Sequence, residues 1–153
     1  MCAEKMNPDP NEKNPAGKKQ VAEQQDEPAD KHFFVVGIGS SAGGLEALEE
    51  LFENVPDDTG MAFVVVSHQH PGHVSLLPEL LGRSAKIPVI EATDGMVLEP
   101  NRVHVNPPGA RLGVMNGTLQ ILEKPADGKP ALLIDYFFRS LASDLRDRAI
   151  CIV

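Results

Sequence analysis

The chain falls into blocks of apolar and polar positions, and the period inside each block names an element. Phe33-Phe34-Val35-Val36-Gly37-Ile38 is a short apolar run closed by glycines, which predicts a buried strand. Gly39-Ser40-Ser41-Ala42-Gly43-Gly44 follows as a turn. Leu45, Leu48, Leu51 and Phe52 then recur at helical spacing, with Glu46, Glu49, Glu50 and Glu53 on the other faces. Acids early in a helix also suit its positive N-terminal end. Pro56 and Asp57-Asp58 end that helix. Met61-Ala62-Phe63-Val64-Val65-Val66 is a second apolar run without alternation, as a strand covered on both faces requires. Strand, helix and strand within about 35 residues form a βαβ unit, which predicts a parallel sheet with a right-handed crossover.

Downstream the blocks are shorter. A second helix is predicted over 74–82, with Pro78 setting its start or a kink. Residues 87–91 and 102–105 read as short strands. Residues 112–115 and 118–122 flank Asn116-Gly117, a strong two-residue hairpin signal. Residues 134–145 read as a third helix with Ile134, Phe137, Phe138, Leu141 and Leu145 on one side, and 149–153 as another buried strand. The predicted fold is α/β: a doubly wound, mostly parallel sheet with helices on both faces and a β-hairpin insertion. Domains rarely finish on a bare apolar strand, because boundaries fall in exposed polar segments. The sequence is therefore expected to be a fragment, incomplete at its C-terminus; the alternative is an edge strand with a natural terminus.

Composition changes the picture at the N-terminus. The first 30 residues hold four Lys, seven Asp or Glu and four Pro, with Val21 alone among Val, Ile, Leu and Phe. Such a segment cannot bury enough apolar surface to offset the entropy of ordering it. Residues 1–32 are predicted to be a disordered polar tail and 33–153 the folded domain. Across the 153 residues, 14 Lys+Arg stand against 22 Asp+Glu, a net charge of −8. That balance argues against nucleic acid or an anionic membrane as main partner. No apolar run approaches the roughly 20 residues of a membrane span, and the first twenty residues lack the apolar core of a secretory signal. Cys2 and Cys151 make neither a disulfide framework nor a metal motif, so a soluble protein of a reducing, cytoplasmic compartment is expected.

The glycine turn carries the chemistry. Gly39-Ser40-Ser41-Ala42-Gly43 fits the G-x-S-x-G nucleophile pattern and sits between a strand and a helix, as that motif requires. Flanking glycines permit a tight turn that lifts a serine hydroxyl out at the strand's C-terminal end. The pattern selects Ser41 over Ser40, and the backbone N–H of Ala42 is placed to hold a developing oxyanion at a helix N-terminus. A plain glycine-rich connection satisfies the same pentapeptide. The residues also read as Gly37-x-Gly39-x-x-Ala42, a dinucleotide fingerprint, but that reading needs an acid near the end of the second strand. Ser67, His68, Gln69 and His70 stand there instead, which weakens it.

Ligands of open parallel sheets sit at the carboxyl ends of strands. Two strands of this unit end near Ser41 and His68, and a histidine there can take the serine's proton and return it to a leaving group. A rival claim comes from His68-Gln69-His70-Pro71-Gly72-His73, whose H-x-H-x-x-H spacing follows a strand in metallo-β-lactamase-like zinc enzymes. That pattern has an aspartate where Gly72 stands here, and it gives no role to the serine turn.

With Ser41 and His68 placed, the chain resembles the catalytic domain of the bacterial chemotaxis methylesterases, the CheB family. The likeness runs from about Phe33 to Val153 through several spaced blocks: 36–44, 64–68, Asp94-Gly95-Met96, 103–109 and 134–142. The stretch 68–81 looks most like the versions fused to a methyltransferase domain. The resemblance implies hydrolysis of γ-glutamyl methyl esters on chemoreceptor helices, releasing methanol, with deamidation of receptor glutamines in many members. It implies a Ser-His-Asp triad on a doubly wound α/β fold, with Ser41 matching the nucleophile and His68 the base, and no metal or organic cofactor.

Three departures matter. The family often has Thr where Ala42 stands, and commonly Gln where Ser67 stands. Its aspartate follows the strand that 149–153 resembles, in a glycine-rich turn, so the third triad member is expected beyond Val153. Without that orienting carboxylate, a comparable triad loses roughly 10⁴ in rate, and the given chain alone is expected to be feeble or misfolded. The resemblance also implies a receiver domain that usually gates this esterase, and the polar tail is expected to stand in its place. A methylesterase is the leading reading, with methylated chemoreceptor helices as partner and a methyltransferase fused or separate. The alternatives are a catalytically inactive receptor-binding module and, third, the zinc hydrolase.

Overall fold

The structure is a computed structural model that describes residues 32–41, 43–70, 72, 74–122 and 132–153. The segment predicted to be a disordered tail lies, but for His32, outside the described residues. In chain order the elements are β1 (Val35–Ser40), α1 (Leu45–Asn54), β2 (Ala62–Ser67), α2 (Leu77–Ser84), β3 (Val89–Glu91), β4 (Arg102–Val105), β5 (Arg111–Met115), β6 (Thr118–Leu122), α3 (Leu133–Leu145) and β7 (Ala149–Ile152). Five strands form one sheet in the order β3-β4-β2-β1-β7, and every pairing in it is parallel. β5 and β6 form a separate antiparallel hairpin.

Alternation along the central strands divides the core between the two faces of the sheet. Val36, Ile38, Phe63, Val65, Val103 and Val105 pack with Leu48 and Phe52 of α1 and Leu81 of α2. Val35, Val64 and Val66 pack with Leu133, Phe137, Leu141 and Leu145 of α3 and with Leu112, Val114 and Leu119 of the hairpin. Burial on both faces explains the unbroken apolar runs of β1 and β2, and the helices lie on both faces as predicted. Phe52 meets Phe63 edge-on, with ring centroids 5.7 Å apart.

Two glycines of β1 set how closely α3 approaches. A Cβ on Gly37 would stand 2.8 Å from both Leu141 Cδ2 and Phe137 Cε1, and one on Gly39 would stand 2.5 Å from Ile134 Cγ2. Their want of a side chain is thus explained by close helix packing, with no bound dinucleotide required. At the hairpin, Asn116 and Gly117 both have positive φ, 53° and 68°, the requirement of the turn type predicted there. Asp144, near the end of α3, accepts hydrogen bonds from the N–H of Asn116 (2.6 Å) and of Gly117 (2.8 Å), tying the turn to the helix.

Three expectations need correction. β1 runs on through Ser40, so Gly39 and Ser40 belong to the strand and not to the turn. The second helix spans Leu77–Ser84 and not 74–82; Pro78 sits in its first turn, where a missing N–H costs nothing, so it sets the start. β7 is not buried. Among the described residues it is an edge of the sheet, with Ile150 39% and Ile152 42% exposed. An apolar run of four residues reads alike at an edge and at the centre, because only the neighbours differ.

Candidate active site

The strand ends that carry the predicted chemistry lie side by side. β1 and β2 pair in register with Ser40 opposite Ser67, so Ser41 and His68 are each the first residue beyond the paired strands. The two serines of the turn are in different states. Ser40 is buried and its hydroxyl donates to the carbonyl of Ser41 (3.1 Å), which also accepts from the N–H of Gly44 (3.0 Å). Ser41 itself is exposed, four positions before the first residue of α1, whose N-cap Gly44 offers no side-chain cap. The motif's selection of Ser41 over Ser40 therefore coincides with a difference in accessibility.

His68 is exposed, but the residues on either side of it are held. Asn106, directly after β4 and fully buried, accepts from the N–H of Ser67 (2.8 Å) and donates to the carbonyl of the same residue (3.1 Å). Its own N–H donates to Val65 (3.0 Å). The Gln69 amide nitrogen donates to the Asn106 carbonyl (2.7 Å), and the Ser75 hydroxyl donates to Gln69 Oε1.

Ser41 and His68 line one cleft of about 190 Å³, walled by Leu45 and Leu48 of α1, Leu77 and Leu80 of α2, and Ser40, Ser67 and Gln69. His68 also borders a second cleft of about 290 Å³ with Leu132, Leu133, Ile134, Asp135, Phe138 and Val153. Asp135 is the one carboxylate on the walls of these two clefts, among the described residues. The imidazole thus stands between a compartment containing the serine and a compartment reached by the end of β7.

Residues 36–153 match the family described as CheB methylesterase. The chain belongs to the CheB methylesterase family. It is similar to the protein-glutamate methylesterase/protein-glutamine glutaminase 2 of Methanospirillum hungatei, 32% identical over 112 residues, covering 72% of this chain and 32% of that protein. It is also similar to the protein-glutamate methylesterase/protein-glutamine glutaminase of Treponema denticola, 30% identical over 123 residues, covering 78% of this chain and 33% of that protein. The chain spans about a third of the length of these curated relatives. Among solved structures, the Thermotoga maritima CheB methylesterase catalytic domain superposes with a TM-score of 0.69 at 27% identity, covering 78% of this chain and 65% of that one.

In this CheB-type domain the sequence-predicted residues divide. Ser41 and His68 come together on one cleft. Ala42, predicted to supply an oxyanion N–H, lies outside the described residues, as does His73 of the zinc spacing. Among the described residues no group of three or more His, Cys, Asp or Glu is arranged to hold a metal ion. Asn106 lies in the 103–109 block of family likeness, where the sequence attaches no role to it. The signal that marks it is tertiary: an amide with no solvent contact, spent on another strand's backbone. His104, two residues earlier, is also fully buried. Its Nδ1 faces the Phe63 carbonyl at 3.3 Å and its Nε2 has no partner among the described residues. Desolvation holds this imidazole below the usual histidine range, with Arg102 adding to the lowering and the Phe63 carbonyl and Glu99 opposing it.

Proposed function

We propose that this domain is a serine esterase acting on glutamate methyl esters of chemoreceptor signalling helices, yielding glutamate and methanol. One observation carries the reading: the parallel register that opposes Ser40 to Ser67 delivers Ser41 and His68 to the same cleft. The size of that cleft supports a macromolecular substrate. At about 190 Å³ it is smaller than the roughly 300–1,000 Å³ of sites for free drug-sized ligands. It suits one side chain presented by a protein, and its leucine walls suit an uncharged ester over a carboxylate.

In this mechanism Ser41 Oγ attacks the ester carbonyl while His68 takes its proton. The tetrahedral intermediate collapses, His68 protonates the departing methoxide, and methanol leaves an acyl-serine. Water, deprotonated by His68, then releases the glutamate. On the family resemblance the Ala42 N–H supports the oxyanion. On the family resemblance an aspartate orients His68. Val153 lines the cleft on the far side of His68 from Leu45 and Leu48, so an acid following the seventh strand approaches the imidazole from there. No step needs a metal or organic cofactor. The same attack on a carboxamide accounts for glutaminase activity of the kind named for the relatives. A cytoplasmic site of action and a methyltransferase, fused or separate, accompany this reading.

Release of labelled methanol from a methyl-esterified receptor fragment tests it, since a labelled methyl group makes slow turnover measurable. Ser41→Ala is expected to abolish release, and turnover untouched by that change refutes the assignment. A second reading, a receptor-binding module without catalysis, is favoured by the scarcity of carboxylates around His68: only Asp135 lines either cleft among the described residues. Receptor binding without any methanol release decides for it.

A further inference from the structure

We infer that Asn106 is a positioning residue for the proposed base, holding His68 in the orientation from which it serves Ser41. The inference rests on the Ser41–His68 reading above. The pairing of β2 with β4 ends at Val65 opposite Val105. One residue later the chain of β4 turns away, and the Asn106 side chain takes over the ladder. A carboxamide carries a donor and an acceptor side by side, the same pair a strand residue presents through its backbone. Here Oδ1 accepts from the Ser67 N–H at 2.8 Å and Nδ2 donates to the Ser67 carbonyl at 3.1 Å. The residue before His68 is therefore bonded as though the sheet continued.

The residue after His68 is held by the same position, through the Gln69 amide on the Asn106 carbonyl at 2.7 Å and the Ser75 hydroxyl on Gln69. His68 thus projects from a segment pinned on both sides, while its own ring stands exposed between two clefts. An exposed histidine on a free loop samples several directions. Pinning both neighbours restricts its Cα–Cβ vector, and a misplacement of about 1 Å in a catalytic group can cost roughly 10²-fold in rate. No smaller side chain reproduces the clamp. Alanine leaves both Ser67 peptide groups unbonded, and serine reaches only one of them.

The test is phosphonylation of Ser41 in the full chain by a fluorophosphonate probe. The Ser41 Oγ–P bond forms, the P–F bond breaks, fluoride departs, and the serine proton passes to His68. Asn106→Ala is expected to lower the maximal labelling rate about 10- to 100-fold, with the half-saturating probe concentration unchanged. Asn106→Ser is expected to fall between Asn106→Ala and the parent, and it serves if the alanine variant does not give a cooperative melt. Asp144→Ala is a destabilised variant remote from the cleft. It loosens the hairpin at the opposite end of α3 from the Ile134–Asp135 turn that faces His68, and it is expected to label at the parent rate. Folded Asn106 variants that label as fast as the parent overturn the positioning role. So does an equal loss in Asp144→Ala, because stability alone then accounts for the effect. If the parent labels no faster than Ser41→Ala, or His68→Gln labels as fast as the parent, the Ser41–His68 reading falls and this inference falls with it.

Discussion

Adding one methyl group at two glycines of this chain should move its stability in opposite directions. At Gly37 the new Cβ would stand 2.8 Å from both Leu141 Cδ2 and Phe137 Cε1, and both residues are fully buried. Neither has solvent to retreat into, so β1 and α3 must part or a side chain must leave its rotamer. Overpacking of this kind costs about 1–3 kcal/mol. Part of it is offset, since alanine restricts the unfolded chain by about 0.4–1 kcal/mol. A net loss of about 1–2 kcal/mol follows, or a fall in Tm of roughly 3–10 °C for a domain of this size. At Gly82, exposed on α2, a Cβ would meet nothing within 4 Å. There alanine should stabilise by about 0.5–1 kcal/mol, because glycine is the poorer helix residue. Thermal melts of Gly37→Ala and Gly82→Ala beside the parent, followed by far-UV circular dichroism, measure both. If Gly37→Ala melts at or above the parent, α3 does not pack on bare β1 backbone, and the account of the paired glycines is wrong.

Acid should weaken the fold through His104. Its folded-state pKa lies below the unfolded value of about 6.5, so the unfolded chain binds the proton first. The stability from keeping this imidazole neutral is fully present above pH 6.5 and is lost as pH falls toward the lower folded value, by at most about 1.4 kcal/mol at pH 5.5. His104→Leu should flatten the denaturation midpoint between pH 7.5 and 5.5, and an unchanged slope would count against it. Asp144→Ala removes the acceptor of two turn amides in a partly solvated position and should cost about 1 kcal/mol. Amide exchange at Asn116 and Gly117 should quicken in that variant; unchanged exchange would show that the turn holds without α3.

Much of the architecture is legible in the sequence because local periods report burial directly. Unbroken apolar runs marked β1 and β2 as strands covered on both faces, the 3.6-residue period marked α1 and α3, and Asn116-Gly117 marked a hairpin turn with positive φ. Strand–helix–strand order implied a parallel sheet, and a parallel sheet gathers its chemistry at strand ends. Ser41 and His68 were therefore nameable as candidates from their places alone. The extent of α2 was misread because Val74 and Leu76 continue its apolar pattern, yet both stand 88% and 62% exposed ahead of the helix. The exposure of β7 among the described residues is not legible, because four apolar residues carry no record of whether a strand flanks them on one side or two.

What depended on tertiary structure was register and proximity between segments far apart in the chain. Gly37 and Gly39 suit a nucleotide fingerprint and close helix packing equally well until Phe137, Leu141 and Ile134 arrive beside them. Asn106 lies 39 positions from Ser67, and nothing in a local window distinguishes a turn asparagine from one that completes another strand's ladder. Ser40 and Ser41 are chemically alike; the sheet buries one and exposes the other. A sequence specifies which groups a segment offers and how often they recur. Only the folded chain decides which of them meet and which are buried: parallel register sets an exposed Ser41 and an exposed His68 on one cleft, and burial commits Asn106 to the backbone beside them.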